Sequence, residues 1–164
     1  MKPALFILFF FSVAVINAQP GKFAGTKKSM IGKTFTNSDS IRGLAGWTQL
    51  QGSLMNKTAD PEFLFVFVFK KGTTNLALFT VMDTASGKHE ILDLIELTGV
   101  PKGWTIMTGD CTRGGQADSY IIAWGKNTGD MYVKVFKKAW RFNPDKRRVE
   151  AIPVKSIICE NIGC

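Results

Sequence analysis

The chain has 164 residues, with 21 lysines and arginines against 13 aspartates and glutamates and a formal net charge of +8. This length is enough for one domain with its own hydrophobic core. The basic balance favours anionic partners such as acidic glycans, lipid head groups or an acidic protein, although it also serves solubility alone. No apolar run of about 18 residues follows residue 18, which excludes a transmembrane helix from the rest of the sequence.

The first 18 residues have the pattern of a secretory signal peptide. Residues 1–2 are a short charged start, 5–16 form an apolar run, and Ala18 places a small residue at the cleavage position. The pattern predicts cleavage after Ala18 and a mature chain that is secreted or periplasmic. Export also makes nucleic acid an unexpected partner.

The segment 19–61 is predicted to be an N-terminal arm, rich in Gly, Ser, Thr and Lys and loose over 19–40. It contains a candidate first strand at 47–55. The break at 56–61 includes Asp60 and Pro61, and the residue before a proline disfavours helix. Residues 62–164 are predicted to be a β domain that forms one domain with 41–61.

A first block of strands is predicted within 62–97. Residues 63–69 are apolar on both faces and rich in aromatic and β-branched side chains, which is typical of a central buried strand. The turn at 71–75 leads to a second strand at 76–82, and the turn at 83–88 leads to a third element at 90–97. A helix remains an alternative for 90–97, but the series favours a β-meander.

A second block repeats this arrangement, with strands at 120–124, 131–142 and 148–154 separated by turns. Residues 131–142 also fit an amphipathic helix with a basic face. As a strand, their alternation changes phase near 136–138, which predicts a β-bulge. We expect a mainly β fold, a single antiparallel β domain of sandwich or barrel-like form with two β-meanders and a candidate short helix.

The three cysteines are Cys111, Cys159 and Cys164. Two of them should pair in an oxidising compartment. A Cys111–Cys159 bridge would tie the middle of the domain to its tail, whereas Cys159–Cys164 would close only a very small loop. The first pairing is favoured and leaves Cys164 as the odd thiol. The spacing does not suit zinc, and no cofactor is expected.

Basic and aromatic side chains define the candidate binding surface. Arg113 lies in a polar, glycine-rich loop next to Cys111, and such pinned loops commonly carry binding residues. Further along the chain, cations interleave with aromatic residues in a pattern that suits an anionic glycan or a protein partner; these candidates are Lys134, Lys137, Lys138, Trp140 and Arg141. The alternative is a solvated face over a packed core.

Catalytic patterns are weak, so a non-catalytic binding domain is the preferred hypothesis. His89 is the only histidine and has no evident orienting carboxylate or nucleophile. A carboxylate pair could support hydrolysis, and the candidates are Asp83, Glu90, Asp93, Glu96, Asp110 and Asp118. A small carboxylate-dependent hydrolase is therefore the first alternative. A structural envelope component is the second.

The C-terminal half resembles a class of small exported proteins of Gram-negative bacteria whose function is uncharacterised. The matching segments are A-W-R-F at 139–142, V-E-A-I-P at 149–153 and I-C-E-N at 158–161, followed by Gly163, and G-D-C at 109–111. The resemblance covers roughly residues 75–163. It supports the Cys111–Cys159 pairing and a hairpin over 131–154, and it implies no activity.

Overall fold

The computed structural model describes residues 29–56 and 62–161, so the predicted signal peptide and Cys164 lie outside the described residues. The described strands, in chain order, are β1 (Thr34–Phe35), β2 (Thr48–Leu54), β3 (Phe63–Lys71), β4 (Thr74–Asp83), β5 (Lys88–Thr98), β6 (Trp104–Thr108), β7 (Cys111–Arg113), β8 (Gln116–Ala117), β9 (Ile121–Lys126), β10 (Tyr132–Val133), β11 (Phe136–Asn143), β12 (Arg148–Ile152) and β13 (Ile157–Glu160). A short 3-10 helix spans Ser38–Ser40.

These strands form three antiparallel sheets, which confirms the mainly β prediction. Sheet A has the order β1-β5-β4-β3-β2, sheet B the order β12-β11-β9-β6, and sheet C the order β10-β13-β7-β8. The first predicted meander is the run from β3 to β5, and β2, the candidate first strand, extends it by pairing with β3. The second block is a meander only in sheet B, because β7, β8, β10 and β13 leave it to build sheet C.

Strand β3 is a central strand with both faces in contact with other layers. Leu64, Val66 and Val68 belong to the cluster shared with sheet B. Phe69 on the opposite face belongs to a second cluster, against which Phe67 packs. This two-sided burial explains the uninterrupted apolar run. The element at Lys88–Thr98 pairs with β4 along its length, so the helix alternative there is wrong.

The ambiguous segment 131–142 is extended, and the helix alternative is wrong. Strand β11 pairs with both β9 and β12. The register on β9 shifts between Phe136 and Lys138, which is the predicted bulge. Ala139 and Phe142 are both buried, on opposite faces of the strand. Pairing on both edges favours strand, because the backbone N–H and C=O groups of β11 find partners in β9 and β12.

Sheet B is the middle layer of the protein. Toward sheet A it presents large side chains, and the rings of Phe79 and Phe142 stack with centroids 5.3 Å apart. Toward sheet C it presents the small side chains of Ala123 and Ala139 together with the larger Met107 and Ile121. Gly125 belongs to this close side, because a Cβ there would lie 2.8 Å from Val133 Cγ1.

Hydrogen bonds join sheets A and B along both of their sides. The Asp93 carboxylate on β5 accepts the backbone N–H of Val149 on β12 at 2.7 Å. On the other side, the Gln51 amide on β2 donates to the Thr108 hydroxyl on β6 at 3.0 Å. The two sheets therefore wrap around one core in the barrel-like manner expected from the sequence.

The outer face of sheet A is covered by residues 30–47. Met30, Phe35, Ile41 and Leu44 are buried in one cluster with side chains of β3, β4 and β5. The sequence analysis expects a loose arm over 19–40, but residues 29–40 of that arm pack as part of this cover. Their apolar residues are irregularly spaced, so they give no periodic signal.

Candidate functional site

The disulfide between Cys111 and Cys159 is present, as predicted from the sequence. The two cysteines face each other across the β7–β13 pair. Both are buried in the cluster between sheets B and C. Sheet C has strands of only two to four residues, so the bridge fixes a sheet that has little pairing of its own.

The outer face of sheet C exposes apolar side chains. Tyr132 on β10 is 51% exposed and Ile158 on β13 is 37% exposed. Next to them, Met131 is 62% exposed and Val135 is 53% exposed. Val133, one residue along from Tyr132, points inward and is buried. We call Met131, Tyr132, Val135 and Ile158 the sheet C patch.

Two shallow hollows meet at Tyr132. The first has a volume of about 570 Å³ and is lined by Ile158 together with the acidic residues Asp110 and Glu160. The second has a volume of about 510 Å³ and is lined by Met131 and Val135 together with Lys126 and Lys134. The patch is thus a contiguous apolar surface with charged residues at its rim. Such surfaces commonly mark sites of protein interaction.

Two of the predicted basic residues contact other side chains of the protein. The Arg141 guanidinium pairs with Asp118 at 2.8 Å and lies over the ring of Tyr120. Lys138 Nζ lies 4.9 Å from the ring centroid of Trp124. Because Lys138 and Arg141 lie on opposite faces of β11, the six predicted binding residues do not form one surface.

The other four predicted binding residues lie in two different parts of the molecule. Trp140 packs edge-on against Trp124 and is half-buried, and Lys137 is exposed at the bulge of β11. Arg113 is exposed at the β7–β8 hairpin, and Lys134 lines the second hollow. Arg113 and Lys134 therefore belong to the part of the molecule that carries the sheet C patch.

The candidate acids have structural partners. Asp93 is buried, and its carboxylate accepts the backbone N–H groups of Leu94 and Val149. Asp118 pairs with Arg141. Asp83 lies in the turn after β4, where hydrogen bonds from the Ser86 hydroxyl and the Ala85 N–H lower the pKa of its carboxyl. A lowered pKa keeps this group ionised, which does not suit a general acid.

The other candidate acids are dispersed. Glu90 lines a shallow hollow together with Asp83, Glu62 and Arg147, in which Arg147 pairs with Glu62. Glu96 is half-buried on β5, and Asp110 lines the first hollow beside Tyr132. Among the residues that the structure describes, no three acidic, histidine or cysteine side chains are grouped so that they could hold a metal ion.

His89 lies under the cover of sheet A. Its ring stacks on Phe35 at 5.3 Å between centroids and meets the edges of Phe65 and Phe67 at 5.0 and 5.1 Å. Its Nδ1 is 3.2 Å from the Thr80 hydroxyl. Burial lowers the pKa of the imidazole. These surroundings favour a neutral side chain that contributes to packing.

Comparisons with protein-family models, with curated proteins and with solved structures gave no significant match. Over 29–56 and 62–161, no helix has the length and hydrophobicity of a membrane span. The sequence analysis did not single out the sheet C patch, because a two-residue strand such as β10 has no measurable periodicity.

Proposed function

We propose that this chain is an exported, non-catalytic domain that binds a partner protein on the outer face of sheet C. The observation that carries the proposal is the exposure of four large apolar side chains on one surface. Export follows from the predicted signal peptide, which directs the mature chain to the periplasm or out of the cell. The resemblance to small exported proteins supports the same destination.

The composition of the patch favours a protein partner over an anionic glycan at this surface. Tyrosine and methionine are enriched at protein interfaces. The acidic residues Asp110 and Glu160 lie beside Tyr132 and would repel an anionic chain. The disulfide behind the patch holds the surface in one shape, which reduces the ordering cost of association.

The proposal is tested by capture on the immobilised mature chain from periplasmic and secreted fractions of the source cells. Tyr132→Ser and Ile158→Ser should each weaken binding of the captured protein by about tenfold or more, since central apolar residues dominate interface energies. The matched control is Leu54→Ser, which removes an apolar residue that is 38% exposed on β2, away from the patch. It should leave binding unchanged.

Salt dependence provides the second readout. Binding through the sheet C patch should persist at high salt, because salt screens exposed charges but strengthens apolar association. Steep loss of binding with salt would instead favour the predicted basic residues, such as Lys137. Equal binding by wild type and Tyr132→Ser would reject the patch. A hydrolytic activity abolished by Asp83→Ala or Glu90→Ala would reject the non-catalytic proposal.

A further inference from the structure

A second concave surface lies between sheets A and B, away from the sheet C patch. It is a cleft of about 530 Å³, in the range of sites that hold small ligands. One wall is formed by β6 and the loop before it, including Trp104 and Ile106. The other wall is formed by β2 and β3, including Leu50 and Val68. Leu50 is the extra residue where the β2 register shifts between Gln49 and Gln51.

The ionisable side chains that line the cleft are all positively charged. Its ionisable lining residues are Lys70 and Lys102, and no aspartate or glutamate lines it. Within the described part of the chain, neither lysine forms an ion pair. This contrasts with the hollow at Glu62 and Arg147, where cations and carboxylates neutralise one another. The cleft therefore offers two uncompensated positive charges to an anionic ligand.

A side-chain amide adds a polar recognition group. Asn75 on β4 lines the cleft, is 7% exposed and lies opposite Lys70 in the β3–β4 register. Throughout 29–56 and 62–161, its carboxamide has no hydrogen-bond partner in the protein. The amide N and O atoms of Asn75 are accessible to solvent, since Trp124 Nε1 is the one buried side-chain N or O atom without a hydrogen-bond partner among the described residues. A solvated amide at the wall of a cleft can exchange its water for a hydrogen bond to a ligand.

The remaining lining residues favour a sugar ring. Trp104 is half-buried and presents an aromatic surface, on which the C–H groups of a sugar can pack. Gln51, Thr73 and Thr105 supply additional polar side chains around it. We propose that this cleft binds an acidic saccharide, with Lys70 and Lys102 on its carboxylate or sulfate groups, Asn75 on a hydroxyl, and Trp104 beneath a ring.

Binding is tested by calorimetry on the full mature chain with two probes, tri-galacturonate and a heparin-derived sulfated hexasaccharide. At least one probe should bind, and its neutral counterpart, methyl-esterified or desulfated, should bind about tenfold more weakly because it lacks the charges. The two probes distinguish a carboxylate ligand from a sulfate ligand. Binding of neither probe, or equal binding of the neutral counterpart, overturns the proposal. Tighter binding of a single-stranded oligothymidylate than of either probe assigns the cleft to nucleic acid instead.

Variants connect that binding to the cleft. Lys70→Gln and Lys102→Gln should each weaken it by about tenfold. Lys155→Gln removes the same charge from an exposed loop residue outside the cleft and should change affinity by less than about twofold. Equal losses in all three variants would indicate general electrostatic attraction and reject the site.

Asn75→Ala separates recognition from folding. It should weaken saccharide binding while the unliganded protein unfolds at about the same denaturant concentration, since the amide is reached by solvent and has no hydrogen bond within the described residues to lose. A lower unfolding midpoint together with unchanged affinity would show that Asn75 is structural and reject its role. Failure of the sheet C patch to bind a protein would leave all of these measurements unaffected, because the two surfaces are separate.

Discussion

The outer faces of sheets A and C differ in what covers them. Sheet A carries Phe69, Leu76 and Leu78 on its outer side, and residues 30–47 bury them. Sheet C carries Tyr132 and Ile158 on its outer side, and over 29–56 and 62–161 no segment covers them. Both faces carry apolar side chains, but among the described residues only the face of sheet A is covered.

The two faces differ in what holds the described residues in place. The cover of sheet A is a long loop with a two-residue strand, and it depends on a few apolar contacts. Within 29–56 and 62–161 no segment covers the outer face of sheet C, and the Cys111–Cys159 bridge joins its two longest strands. A covered apolar face contributes to stability, whereas the exposed face of sheet C carries the proposed binding surface.

Among the variants that test this contrast, removal of the disulfide should lower the free energy of unfolding most. The double variant Cys111→Ser with Cys159→Ser opens a loop with a sequence separation of 48, which corresponds to about 4 kcal/mol of unfolding free energy in the chain-entropy model. Urea unfolding measures the loss. Amide exchange should accelerate first in β7 and β13, while β3 and β4 stay protected. Uniform acceleration in all sheets would show that the bridge supports the whole domain equally.

Removal of the cover of sheet A should have the next largest effect. Phe35 is 6% exposed and contacts the rings of Phe67 and His89, so Phe35→Ala should lower the unfolding free energy by about 3 kcal/mol. The matched control on the bare face is Tyr132→Ala, which should change it by less than about 0.5 kcal/mol. Similar losses for both variants would contradict the distinction between a covered and a bare face.

The strands of sheet A could be predicted because their signals are local. Residues 63–69 and 76–82 are consecutive apolar runs bounded by turns, and each pairs with its neighbour in sequence. The phase change near 136–138 predicted the bulge in β11 for the same reason, since it is visible within one segment. The Cys111–Cys159 pairing was the favoured one of three possible pairings, and the resemblance supported it.

Other features depend on partners far away in the sequence. Strand β6 is five residues long and lies between Gly103 and Gly109, and the sequence did not predict it. Strands β7 and β13 are short and pair with each other across a separation of more than 40 residues. The cleft at Asn75 requires knowledge of which sheets face each other. No pattern within one segment of the chain contains that information.

Acid should loosen the cover of sheet A through His89, with the smallest of the three effects. Burial lowers the pKa of this imidazole from its ordinary value of 6.5. As the pH falls below 6.5, the unfolded chain takes up a proton before the folded chain does, so stability decreases until the folded pKa is passed. The carboxyls of Asp83 and Glu150 also have lowered pKa values, but their ordinary values are 3.8 and 4.5, so their contribution to stability is lost at lower pH.

Urea unfolding at about pH 7.5 and about pH 5.5 measures the effect. The difference in unfolding free energy between the two pH values should be larger for wild type than for His89→Gln, which cannot titrate in this range. If the difference is equal in both proteins, groups other than His89 cause the acid sensitivity, and protonation of the His89 ring does not destabilise the cover.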